Sequence, residues 1–116
     1  MKREIKFRAW YENKMHRVIS YHIESGMVTI PLMRFPFTQD VVPDATDEYT
    51  GLNDNNGKEI YQGDLVKLYE AVYSVIWKDG AYHLSYPGSN QGGNQFTQDR
   101  AKRFEVIGNI YENPKL

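Results

Sequence analysis

A chain of 116 residues with 41% hydrophobic and 25% charged side chains has the size and balance of one folded domain with one core, which excludes an intrinsically disordered polypeptide. Its formal net charge of -1 gives no general argument for a polyanionic partner such as a nucleic acid or an acidic membrane. The absence of cysteine excludes disulfides, thiolate zinc sites and a cysteine nucleophile together.

The start, Met1-Lys2-Arg3-Glu4-Ile5-Lys6, is charged and runs into alternation without a continuous apolar stretch, so it does not read as a signal peptide. No apolar run approaches the ~20 residues of a spanning helix, and the expected location is the cytoplasm. From Glu4 to Trp10, Ile5, Phe7 and Ala9 alternate with Lys6 and Arg8, the period of a strand with one apolar face. A turn at Glu12-Asn13-Lys14 leads into an extended segment from Met15 to Ile23. Ser25-Gly26 then reverses the chain into Met27-Val28-Thr29-Ile30, a candidate hairpin.

Residues 31–47 contain Pro31, Pro36 and Pro43 together with Asp40, Asp44 and Asp47. Proline lacks an amide donor, so the stretch is expected to be a long connection between an N-terminal hairpin region, 1–47, and a C-terminal β region, 48–116. Asn53-Asp54-Asn55-Asn56-Gly57 supplies a tight turn before Lys58-Glu59-Ile60-Tyr61. Gln62-Gly63-Asp64 breaks the chain again ahead of Leu65-Val66-Lys67-Leu68-Tyr69. Tyr73 to Trp77 and Ala81 to Tyr86 flank Lys78-Asp79-Gly80, and the Asp-Gly pair predicts a hairpin. Pro87 to Gln95 reads as a mobile loop, Gln98 to Phe104 as one helical turn, and Glu105 to Tyr111 as a last strand closed by Asn113-Pro114. The sum is a mainly β domain of seven or eight short antiparallel strands.

Three segments carry a family resemblance: Arg3-Glu4-Ile5-Lys6-Phe7-Arg8-Ala9-Trp10; Tyr49-Thr50-Gly51-Leu52-Asn53-Asp54-Asn55-Asn56-Gly57-Lys58-Glu59-Ile60-Tyr61-Gln62-Gly63-Asp64-Leu65-Val66; and Phe104-Glu105-Val106-Ile107-Gly108-Asn109-Ile110-Tyr111-Glu112-Asn113-Pro114. In this order, over nearly the full length, they resemble the YopX family of bacteriophage and prophage proteins. The resemblance implies a small, mainly β protein encoded by phages or prophages and acting inside the host cell. It implies no established activity and carries over no catalytic residue. Within these segments and beside them, Trp10, Gly51, Gly57, Tyr61, Gly63, Asp64, Trp77, Gly108 and Tyr111 read as fold-making residues: glycine where the backbone turns tightly, aromatics where area is buried. The region from Ile60 to Tyr111 is compatible with a small curled sheet or an SH3-like barrel.

Chemistry-bearing patterns are sparse. His16 and His22 would share a face of an uninterrupted strand, but about 20 Å apart at strand rise, too far to hold one ion. No metal site and no cofactor are expected. Asp54, Glu59 and Asp64 lack calcium-loop spacing; Asp54 is expected to serve the turn ending at Gly57, and Asp64 to accept from backbone donors after Gly63. No serine sits in a nucleophile elbow, and Gly88-Ser89-Asn90-Gln91-Gly92-Gly93 lacks the lysine of a phosphate loop. An enzyme, such as a hydrolase using carboxylates, ranks last.

Charge is unevenly spread: residues 1–35 hold seven Lys/Arg against three acids, residues 36–65 one against seven, and residues 66–116 six against five. The first reading is a non-enzymatic binding or assembly protein of phage origin, forming a homo-oligomer or contacting a phage or host protein. Its nine tyrosines suit an interface. The second is a single-stranded nucleic-acid binder using Arg3, Lys6, Arg8, Trp10 and Arg17, where cations would neutralise phosphates and the indole would stack on bases.

Overall fold

The computed structural model describes residues 4–86 and 95–112. Among the described residues, eleven strands and one short helix follow in order: β1 (Phe7–Tyr11), β2 (Lys14–Arg17), β3 (Ser20–His22), β4 (Met27–Pro31), β5 (Thr38–Val41), β6 (Ala45–Asn53), β7 (Glu59–Tyr61), β8 (Asp64–Leu68), β9 (Ala71–Lys78), β10 (Ala81–Ser85), α1 (Gln98–Ala101) and β11 (Glu105–Asn109). Every strand pairing is antiparallel. The chain divides into two compact units at the middle of β6, one formed by Glu4–Glu48 and the other by the chain from Tyr49 onward.

In the first unit, β1 lies between β2 and the first half of β6, with Arg8 opposite both Arg17 and Asp47. A second sheet is ordered β3-β4-β5. Alternation sets what each strand buries: Ala9 from β1, Val28 and Ile30 from β4, and Val41 from β5 form a small core, with Tyr11, Val18 and Tyr21 packed against it. Phe7 meets Tyr21 edge-to-face at 4.9 Å, an arrangement that puts the positive ring edge on the negative face.

The expected connection at 31–47 is instead interrupted by strand: it holds the end of β4, all of β5 and the start of β6. Pro31 is the last residue of β4, Pro36 lies in the β4–β5 loop, and Pro43 sits between β5 and β6, so no proline has to donate within a ladder. The expected extended segment 15–23 is two strands, broken at Val18 and Ile19. His16 therefore stands on β2, opposite Ala9, and His22 on β3, opposite Met27.

In the second unit, β10-β9-β8-β11 form one curled sheet, a half-barrel. Its core is Ile60, Val66, Leu68, Val75, Tyr82, Leu84, Phe96, Ala101 and Phe104. At the β9–β10 turn, Asp79 and Gly80 have φ of 52° and 80°; a two-residue turn with both φ positive matches the twist of its flanking strands, which is why Asp-Gly is found there. The helix is the single turn 98–101, and Gln98 secures it in both directions: Asn53 N–H donates to its Oε1 at 3.1 Å and its Nε2 donates to Asn53 O at 2.9 Å. Of the loop expected at 87–95, residues 87–94 lie outside the described residues, and Gln95 forms a bridge with His83. Asn113 and Pro114 also lie outside them.

Candidate functional site

The basic N-terminal strand is engaged with its own unit. Arg8 Nε donates to Asp47 Oδ2 at 3.3 Å, with the two side chains only 13% and 6% exposed. Lys6 Nζ lies 2.7 Å from Glu4 Oε1. Trp10 is half-buried opposite Met15, and Arg17 is exposed on β2. Arg3 lies outside the described residues. Cross-strand register puts Arg8 of β1 between Arg17 of β2 and Asp47 of β6.

Two of the acidic residues of the middle motif, Asp54 and Asp64, accept from the backbone. Asp54 is buried; its Oδ1 accepts from the amides of Asn56 and Lys58, both at 2.8 Å, and its Oδ2 accepts from Val106 N–H at 2.9 Å. Asp64 is also buried, and its Oδ2 accepts from Tyr61 N–H at 2.8 Å. That donor precedes Gly63, where sequence reasoning expected donors after it: β7 turns so tightly into β8 that the Asp64 side chain closes the turn from behind. Gly63 itself has φ of 87°, which only glycine adopts without strain. Its N–H donates to Val75 O, and its carbonyl accepts from Ile110 N–H, both at 2.9 Å.

The remaining motif residues are distributed over the fold. Gly51 and Gly57 have φ of 86° and 78°, while Gly108 marks the register shift where β11 bulges against β8. Tyr61 lies 5.5 Å from Tyr49, ring to ring. Tyr111 N–H donates to Asn109 Oδ1 at 3.0 Å. Trp77 is half-exposed, with its edge against Tyr82 at 4.8 Å. The histidines are separate: His16 Nε2 approaches Tyr11 O and His83 Nδ1 approaches Ala81 O, each at 3.1 Å. Among the described residues no group of three His, Asp or Glu could hold a metal ion, and no helix is long and apolar enough to cross a membrane.

The feature that sequence reasoning missed is the loop joining β4 to β5. Met33, Phe35 and Phe37 are 99%, 85% and 58% exposed, although the loop is ordered by two short backbone bonds. Leu32 N–H donates to Phe37 O at 2.8 Å, and Phe37 N–H donates to Arg34 O at 2.7 Å. Phe35 and Phe37 meet edge-to-face at 6.0 Å, and Arg34 is exposed between Met33 and Phe35. Four apolar side chains within Leu32–Phe37 were the available signal, hidden by the prolines around them.

At the other end of β4, an open recess of about 490 Å³ is lined by His22, Ile23, Glu24, Ser25, Met27 and Asp40. Its apolar part is Met27 and the 78% exposed Ile23, and its charged part is two carboxylates. Asp40 Oδ1 accepts from Thr29 Oγ1, which fixes one of them.

Comparison with known proteins gives the frame for these features. The sequence profile of the family described as "YopX protein" matches residues 6–116. No curated protein matches the sequence. Among solved structures, the crystal structure of protein EF1440 from Enterococcus faecalis is similar, with a TM-score of 0.65, 24% identity, and 98% of each chain covered. At that identity the likeness establishes the fold.

Proposed function

The chain belongs to the YopX family, and we propose that it is a non-enzymatic, phage- or prophage-derived protein of the bacterial cytoplasm that binds protein through the apolar tip at residues 32–37. The observation that carries this reading is the exposure of Met33, Phe35 and Phe37 on a hydrogen-bonded loop. Single exposed hydrophobes are ordinary, but three on one short hydrogen-bonded loop, two of them ring against ring, forfeit burial energy until something covers them. An ordered tip also loses little entropy on binding, so more of the burial appears as affinity.

Protein is favoured over the other surfaces a tip might meet. Residues 4–48 carry five Lys/Arg against seven acids, which opposes approach to nucleic acid or anionic lipid. The non-enzymatic part of the reading is supported by Asp54 and Asp64, whose carboxylates are occupied by backbone amides. Photocrosslinking tests the tip: benzoylphenylalanine replacing Phe35 in bacterial cells is expected to yield a discrete protein adduct. The same probe at Tyr69, 75% exposed in the other unit, is expected to yield none. Failure of the Phe35 probe to capture any protein overturns the reading.

A further inference from the structure

We infer that the protein covering the tip is a second copy of this chain, whose β3–β4 recess receives it. This rests on the reading of residues 32–37 as the contact element and names its partner. Tip and recess lie at opposite ends of β4, one following Pro31 and the other against Met27; four residue steps at ~3.3 Å put these ends about 13 Å apart. One small sheet thus presents a knob at one end and a hollow at the other.

The two surfaces are complementary in kind and in sign. Phe35 and Met33 offer apolar volume, and the open recess offers Ile23 and Met27 within about 490 Å³. Arg34 is a cation carried between the two apolar side chains, while Glu24 and Asp40 are carboxylates beside the apolar floor. A guanidinium between carboxylates in a partly dried contact makes the stronger kind of hydrogen bond. The carboxylates of Glu24 and Asp40, set beside His22 and Ser25, favour a cation over a second acidic surface.

A knob and a hollow at different places on one surface make a heterologous contact, which repeats head-to-tail into a ring or an open chain. A contact made by one loop is small beside the interfaces of obligate assemblies, so association is expected to depend on concentration.

Sedimentation equilibrium of the purified chain provides the test, with charge-reversal variants R34E and E24K at two exposed positions. The wild-type mass is expected to rise with concentration. Each single variant sets like charges against each other in its own contacts and is expected to associate at least tenfold more weakly, with an unchanged circular dichroism spectrum. In an equimolar mixture every R34E tip meets an E24K recess and every E24K tip meets an R34E recess, so association is expected to return. The double variant R34E/E24K restores it within one chain. A wild-type protein that remains monomeric, single variants that associate like wild type, or a mixture and double variant that stay apart overturn the inference. If the wild type is monomeric while the Phe35 probe still captures some other protein, the second copy is wrong and the tip remains the contact element.

Discussion

Asp54 and Val106 stand 52 positions apart in sequence and share a hydrogen bond, Val106 N–H to Asp54 Oδ2, at 2.9 Å. Beside it Asn55 N–H donates to Phe104 O at 2.9 Å, so the turn after β6 and the start of β11 are fastened at two adjacent points. One buried carboxylate therefore orders its own turn with one oxygen and closes the C-terminal sheet with the other.

Replacing Asp54 by alanine leaves three backbone amides without their acceptor, two of them near solvent at the turn and one at β11. With about 1–3 kcal/mol for each buried donor left unmet and water reaching the turn, D54A is expected to lower stability by about 2–4 kcal/mol. D54N separates the two jobs. Its carbonyl can keep Asn56 and Lys58, but its amide then faces the Val106 N–H, donor against donor. It is expected to lose about 1–2 kcal/mol, read as a shift of the urea midpoint at constant slope.

The Arg8–Asp47 pair gives a second prediction. Breaking a buried pair leaves a charge desolvated without compensation, whereas replacing both partners removes that penalty. With side-chain exposures of 13% and 6%, R8M is expected to lower stability by about 2–3 kcal/mol. The double variant R8M/D47L is expected to lose less than R8M alone, and chemical denaturation of the cycle reads the coupling. If R8M weakened single-stranded DNA binding in a mobility-shift assay while leaving stability unchanged, the side chain would belong to a nucleic-acid surface instead.

Local patterning was legible where one strand or one turn decides the outcome. Phe7–Tyr11 is a strand with Ala9 inward, Asp79-Gly80 has the two positive φ values its turn needs, and Gln98–Ala101 forms a helical turn within the expected 98–104. Where the outcome depends on a distant partner, the sequence is silent. Nothing near Asp47 announces that Arg8 will neutralise it, and nothing near Asp54 points to Val106. The region 31–47 misled for a related reason: proline forbids a ladder donor at its own position but not at the residues between. β5 fits between Pro36 and Pro43, and β6 begins after Pro43.

At the β9–β10 turn, Gly80 has φ of 80°, and a Cβ built there meets nothing within 4 Å. Space is therefore not the constraint; backbone conformation is. G80A is expected to lose about 1–2 kcal/mol from placing an L-residue in the left-handed region, and G80N less, because asparagine tolerates that region. Thermal denaturation followed by far-ultraviolet circular dichroism distinguishes the two. Equal losses for both would show that the turn responds to the bulk of the side chain and not to its φ preference.

The tip separates folding from contact. Met33 and Phe35 are 99% and 85% exposed, so truncating them removes little that the folded chain buries, and surface changes of this kind usually fall within about ±0.5 kcal/mol. M33S/F35S is therefore expected to keep the wild-type melting temperature to within a few degrees, since about 0.5 kcal/mol corresponds to roughly 2–4 °C for a domain near this size. The same variant is expected to lose concentration-dependent association in sedimentation, because burial of these two side chains supplies the apolar part of the contact. A marked drop in melting temperature would mean that the tip packs within its own chain in solution, and its exposure would then no longer speak for a partner.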